Sequence, residues 1–155
     1  MNRGRFGKGE GKMFHKITAV APLSDFRLLV HFTDGCAKEY DVRNLIEHME
    51  AFRDLERIPG LFQQVVVDQG GYGISWNEDI DLDGSELWAN GITVATPFDG
   101  LISFSDATEI WGLSESALRK AVGYKKLVNG VDVLKFGKQW VVTKNAMLRE
   151  YGQPK

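Results

Sequence analysis

The sequence predicts an α+β protein in two parts, a small antiparallel-sheet domain with short helices followed by a small, mostly helical module. Three observations carry this reading. Up to residue 91 the chain consists of β-rich runs separated by turn residues, with short helical stretches between them. From residue 103 onward apolar side chains recur at helical spacing on both sides of a glycine. The charge also changes sign: residues 13–100 carry six basic and fifteen acidic side chains, net −9, whereas residues 101–155 carry nine basic and five acidic, net +4. A chain of 155 residues has room for one ordinary domain or two small ones. The charge asymmetry favours two, with different partners for each.

The composition, 43 % hydrophobic and 26 % charged, is that of a globular chain. No run approaches the roughly 20 apolar residues that span a bilayer, and the N-terminus lacks the apolar core of a secretory signal. A single cysteine, Cys36, excludes an intrachain disulfide and fits a reducing compartment. The expectation is a cytoplasmic protein with no membrane association. Residues 1–12 hold four glycines, with Arg3, Arg5, Lys8 and Lys12 set against Glu10. They are expected to form a flexible basic leader, or an arm that touches a phosphate backbone. The predicted order is then this leader (1–12), an acidic α+β domain (13–91), a linker (92–101) and the helical module (102–155).

Within the acidic domain, residues 17–20 and 26–32 are β-rich and are separated by Pro22 and Asp25. Asp34-Gly35 between apolar segments is a hairpin signal, because both turn positions tolerate positive φ, and residues 36–40 form the returning strand. Leu45, Ile46, Met49, Phe52 and Leu55 fall at helical spacings, so residues 42–57 read as one or two short helices. Residues 63–68 and 72–76 form a second strand pair around Gly70-Gly71. A last helix over about 84–90 stops at Asn90-Gly91.

The segments ITAVAPLSDFRLLVHFTDG, EYDVRNLI, LFQQVVVDQGGYGISW and DIDLDGSELW resemble the bacterial family of domains of unknown function 2442, over residues 13–91. That resemblance implies a small α+β fold and no catalytic residues. It also implies a domain found alone or joined to a helix-turn-helix, in settings that suggest toxin–antitoxin-like pairing.

In the C-terminal module Ser103 and Asp106 stand at the spacing of a capping box, with Asp in the place of the usual Glu or Gln. Phe104, Ala107, Ile110 and Trp111 form one apolar helical face, and Gly112 breaks the helix. Leu113 fills the turn. Ser114 then caps a second helix whose apolar face is Ala117, Leu118, Ala121 and Val122. Helix, glycine-containing turn and helix within so few residues make a helix-turn-helix. The second helix faces outward with Glu115, Ser116, Arg119 and Lys120, hydrogen-bonding and basic side chains suited to the major groove. Lys125 and Lys126 follow. Residues 131–135 and 140–142 read as a hairpin around Gly137, with Lys135, Lys138 and Gln139 placed to rest on phosphates. Thr143 caps a final helix that begins with Lys144, and Trp111 and Trp140 fall in the apolar phase of their elements.

This string resembles the excisionase-like and MerR-like winged helix-turn-helix family, on Ser103, Asp106, Ala107, Glu109, Ile110, Gly112, Leu113, Ser114, Ser116, Arg119 and Val122, and on Phe136-Gly137-Lys138-Gln139-Trp140. The resemblance implies that residues 114–122 are the recognition helix. The connection over residues 123–130 is long for that family.

The candidate DNA-binding set is therefore Ser114, Glu115, Ser116, Arg119, Lys120, Lys125, Lys126, Lys135, Lys138, Gln139 and Lys144, with double-stranded DNA as the partner. The alternative is a helix-turn-helix that binds protein only, since a net charge of +4 is modest for a DNA binder. In the acidic domain, Glu47, Glu50, Asp54, Glu56, Glu78, Asp79, Asp81, Asp83 and Glu86 form a candidate face for a basic protein partner, or act only as solubilising surface.

Other constellations fail on inspection. Asp79, Asp81 and Asp83-Gly84 match the first half of a calcium loop, but position twelve is Asn90, so an acidic turn capping the next helix is the better reading. His15, His31 and His48 lack ligand spacing for zinc, and Gly70-Gly71-Tyr72-Gly73 lacks the lysine of a phosphate loop. No catalytic site, metal or cofactor is predicted. The function expected is a bacterial or phage transcriptional regulator, including an antitoxin-type autoregulator, whose acidic domain binds a protein or a second copy of the chain. The alternative is an inhibitor of a nucleic-acid enzyme, resembling anti-CRISPR proteins, with the helix-turn-helix reserved for autoregulation or docking.

Overall fold

Leu28, Val30 and Phe32 recur with the period of a strand, and all three are buried. They lie on β2 (Arg27–Phe32), which pairs antiparallel with β1 (Ile17–Pro22) on one side and β3 (Ala37–Asp41) on the other. The computed structural model describes residues 15–154. The predicted leader, residues 1–12, lies outside the described residues. The chain divides into two units, one running to Phe32 and over Ala37–Thr96, the other comprising Thr33–Cys36 and the chain from Pro97 on.

In the first unit β3 is followed by α1 (Arg43–His48), a 3-10 turn over Glu50–Arg53 and α2 (Asp54–Arg57). The apolar positions predicted for residues 42–57 supply their buried side: Ile46, Phe52 and Leu55 are all within 5 % exposure. A three-stranded sheet in the order β4-β5-β6 then forms from Val66–Val67, Gly73–Ser75 and Asp81–Asp83. Trp76 anchors this part of the core. Its ring lies 6.1 Å from Phe62 and 6.2 Å from Phe52, and its Nε1 donates to the Phe62 carbonyl at 3.0 Å. Helix α3 (Gly84–Asn90) begins at Asp83, whose carboxylate accepts from the Ser85 N–H at 3.4 Å. It ends at Gly91, where a Cβ would sit 2.6 Å from the Leu87 carbonyl and 3.0 Å from Lys38 Cβ. Only glycine allows that approach of helix end to strand.

Residues 92–101, expected as a linker, carry short strands at both ends. Ile92–Val94 is β7, the fourth strand of the first sheet, paired with β3 in the order β1-β2-β3-β7. Leu101–Ser103 is β8, an edge of the C-terminal sheet. Three-residue strands are too short to show a period of two, and each pairs with a partner far away in sequence. Residues 95–100, with Pro97 and Asp99-Gly100, join the two.

The second unit carries α4 (Phe104–Trp111), α5 (Glu115–Gly123), the strands β9 (Val133–Phe136) and β10 (Gln139–Thr143), and α6 (Lys144–Tyr151). Its sheet order is β8-β10-β9. Ile102, Phe104, Ala107, Trp111, Leu118, Leu127, Val133, Val142 and Met147 are the main members of one buried cluster. Trp111 donates through Nε1 to the Gly152 carbonyl at 2.7 Å, and Trp140 stacks on Phe104 with centroids 5.6 Å apart. The first wing strand starts at Val133 rather than 131, because residues 128–132 close a turn in which Val131 and Asp132 N–H groups donate to the Val128 carbonyl.

Candidate nucleic-acid interface

Three side-chain caps set the helices of the second unit. Ser103 Oγ accepts from the Asp106 N–H at 3.0 Å, Ser114 Oγ from Ala117 at 3.0 Å and Thr143 Oγ1 from Ala146 at 3.1 Å. Between α4 and α5 the chain reverses at Gly112, in the left-handed region at φ 69°, and its N–H closes on the Thr108 carbonyl. The turn therefore favours glycine, which takes this conformation without the penalty of a Cβ, and the sequence supplies one.

Helix α5 has two distinct sides. Leu118 and Ala121 are buried in the core cluster, while Ser116, Arg119, Lys120 and Gly123 are exposed. Their spacing puts the exposed residues on one stripe. Within it Arg119 Nη2 donates to Glu115 Oε1 at 3.0 Å, an i,i+4 pair on the surface. Ser114 and Ser116 hydroxyls lie 3.3 Å apart at the start of the helix. After α5, Tyr124 is 82 % exposed and Lys125 takes φ 63°. Lys126 lies over the Tyr151 ring, its Nζ 4.8 Å from the centroid.

The hairpin β9–β10 turns at Gly137-Lys138, with Gly137 at φ 59°. Lys135, Lys138 and Gln139 are exposed, and Lys135 Nζ is 6.0 Å from the Trp140 centroid. Leu134 and Phe136, 45 % and 56 % exposed, share the opposite face of β9. Lys144 sits differently from the rest. It is partly buried, and its Nζ donates to Asp34 Oδ2 at 3.1 Å, within the unit that includes the Thr33–Cys36 turn. The predicted set thus spreads over α5, the connection after it, the wing and the start of α6. All of it is exposed except Glu115 and Lys144.

One organising residue was not legible as such. Asp132 is buried, its Oδ2 accepts from the Val128 N–H at 2.8 Å, and Arg149 grips both its oxygens at 3.1 and 2.9 Å. The Arg149 guanidinium, then the backbone bond, hold the Asp132 carboxyl below its ordinary range against the opposing effect of burial. Arg149 also reaches the Lys126 carbonyl at 3.5 Å, so this pair ties the connection after α5 to α6. In the sequence Asn129-Gly130 marks only a turn, and nothing near Asp132 pointed to a partner seventeen residues away.

The acidic candidates in the first unit are divided among elements. Glu50 faces Arg53 at 3.7 Å and Arg57 at 3.3 Å, and Asp54 faces Arg57 at 3.9 Å, so the helical carboxylates are partly neutralised by their own arginines. Glu47, Glu56, Glu78 and Asp79 are exposed. Asn77 Oδ1 accepts from the N–H groups of Asp79 and Ile80 and shapes the acidic turn. Asp81 lies on β6, Asp83 caps α3, and Glu86 Oε2 accepts from the Tyr40 hydroxyl at 2.8 Å and from Asn90 at 2.9 Å. Burial, then the Glu86 carboxylate, push the Tyr40 hydroxyl well above the ordinary phenol range. Among the described residues no group of three or more His, Cys, Asp and Glu is placed to hold a metal ion. Among them, too, no helix is long and apolar enough to cross a membrane.

Comparison with known proteins agrees with this division. Residues 17–93 match the family model described as protein of unknown function (DUF2442), and residues 95–155 match that of a helix-turn-helix domain. No curated protein matches the chain. A solved structure of a candidate DNA-binding protein from Nitrosomonas europaea aligns with 75 % of this chain and 80 % of its own, at 17 % identity and a TM-score of 0.44. The chain thus carries, in order, a segment similar to the DUF2442 family and one similar to a helix-turn-helix domain.

Proposed function

We propose that this protein is a DNA-binding transcriptional regulator of a bacterium or phage, acting in the cytoplasm as a binding protein rather than an enzyme. The observation that carries the reading is α5: a Ser-capped helix of a helix-turn-helix domain whose apolar side is locked in the core and whose free side is a polar and basic stripe. Laid in the major groove, Ser116, Arg119 and Lys120 meet base edges or flanking phosphates. Lys125, Lys126, Lys135, Lys138 and Gln139 supply phosphate contacts on either side. Glu115 holds Arg119 along the helix axis until DNA competes for it. Lys144 serves as a phosphate contact only after release from Asp34.

The modest charge of one module calls for a second module or neighbouring contacts to reach useful affinity. The acidic N-terminal domain supplies that function in this proposal, by receiving a partner protein or a second copy of the chain. An antitoxin-type autoregulator is the form in which the partner is encoded beside the regulator. The test is a gel shift with duplex DNA from upstream of the gene, run with and without the product of the adjoining gene. A shift at low salt that weakens with added salt supports the proposal. No shift at low salt, with or without the partner, contradicts it.

A further inference from the structure

The edge of the four-stranded sheet is incomplete. β3 is paired along its whole length by β2, from Ala37 to Asp41, but on its other side β7 reaches only Ala37, Lys38 and Glu39. Among the described residues no strand lies beside Asp41 on that side, whereas Tyr40 turns its backbone groups to Leu28 on β2. An open cleft of about 520 Å³ forms there. β7 is itself an edge strand, and Ile92 on it is 73 % exposed. A sheet edge with unpaired backbone groups is a template for another extended segment.

The walls of the cleft say which segment fits. Leu45, Ile92 and Val94 make one side apolar. Glu39, Asp41 and Glu86 bring three carboxylates, and Arg27 is the one cation among the lining residues. Arg27 is already committed, with Nη1 2.8 Å from Glu39 Oε1. Asp41 receives the Arg43 backbone N–H at 2.9 Å, a neutral donor. Glu86 takes both its bonds on Oε2, from the Tyr40 hydroxyl and the Asn90 amide, and among the described residues its Oε1 accepts none. Neutral donors fix a carboxylate in place without cancelling its charge. Two oriented carboxylates, bonded among the described residues to neutral donors alone, beside an apolar wall suit a charged head on an aliphatic stem, the anatomy of lysine and arginine.

We infer that this cleft docks an extended segment of a partner protein, which continues the line of β7 past Glu39 to Asp41, presents a Lys or Arg side chain to Asp41 and Glu86, and lays an apolar neighbour on Ile92. The inference rests on the reading that the N-terminal domain receives a protein. Alternation along the docked strand supplies both contacts, since residues two apart share a face and intervening ones point the opposite way.

The test uses the full chain, labelled with ¹⁵N, titrated with a short blocked peptide of alternating valine and arginine, and with a matched peptide carrying glutamate for arginine. The expected result is saturable shifts at the amides of Tyr40, Asp41, Glu86 and Ile92–Val94 with the arginine peptide alone. Asp41→Asn and Glu86→Gln, made separately, each weaken that binding several-fold without lowering the melting temperature. Saturable shifts confined to residues 47–56 would overturn the cleft yet leave a protein-binding N-terminal domain standing. No saturable shift in the domain, or equal binding of the glutamate peptide, overturns the cleft as well. DNA binding by the same sample is read separately and is untouched by either outcome.

Discussion

Asp132 and Arg149 tie the segment after α5 to α6, away from the exposed stripe of α5. The Asp132 carboxylate is held below the ordinary range by Arg149 and by the Val128 N–H. A carboxyl group whose folded value is depressed stabilises the fold fully above its unfolded value of about 3.9, and that contribution is lost as pH falls through the lower, folded value. Asp132→Asn is therefore expected to lower the melting temperature at pH 7 and to flatten the loss of stability between pH 5 and pH 2, both measured by thermal unfolding followed by circular dichroism. A variant as stable as the parent at pH 7 would show that the Arg149 pair contributes nothing net, as half-exposed ion pairs often do. At this scale the sequence was uneven. Ser103, Ser114 and Thr143 announced themselves as caps because capping is local, within three residues. The Asp132–Arg149 pair was silent because it is made by folding, between residues with no shared periodicity.

Among the elements, the reversal between α4 and α5 turns on a single glycine in the left-handed region. Gly112 has open space around it, so a Cβ there meets no atom, and the cost of replacing it is purely one of backbone conformation. Gly112→Ala should destabilise the module by about 1–2 kcal/mol, the left-handed penalty of an L-residue, and Gly112→Asn by less. Denaturant unfolding of the two variants checks the order. For the wing, Lys138→Ala should lower the slope of log K against log salt by about one if Lys138 rests on a phosphate, with little change in sequence preference. An unchanged slope would take the wing tip off the DNA. The helices α3 to α6 were readable from apolar spacing and caps, and the β9–β10 hairpin from its glycine turn. β7 and β8 were not. Both lie in the stretch 92–101, where Pro97 and Asp99-Gly100 dominate the local signal and three-residue strands are defined only by distant partners.

At the scale of the whole molecule, the sign change in charge along the sequence corresponds to two units with different chemistry. What composition could not reveal is how the acidic side chains are used. Glu50 and Asp54 are answered by Arg53 and Arg57, and Asp83 is spent on a helix cap. Of the three carboxylates lining the cleft, Glu39 is paired with Arg27, while Asp41 and Glu86 are held by neutral donors. Asp41 did not stand out in the sequence, because its role depends on β7 stopping short of it. On α5, by contrast, the exposed positions Ser116, Arg119 and Lys120 were legible, since a helix places its residues by a rule that the sequence alone obeys. Glu115, however, is half-exposed, and Gly123 extends the helix beyond the predicted end.

The central claim is that α5 reads duplex DNA. It is tested most directly by fluorescence anisotropy of the full chain with duplex DNA from upstream of its gene, over a series of salt concentrations, for the wild type and for Arg119→Ala combined with Lys120→Ala. The account predicts salt-dependent binding by the wild type and a loss of about tenfold or more in the double variant, roughly the 1–3 kcal/mol of one good base contact plus a phosphate, with the melting temperature unchanged because both side chains are exposed. Equal binding by the two proteins, or none by the wild type at low salt, would contradict it.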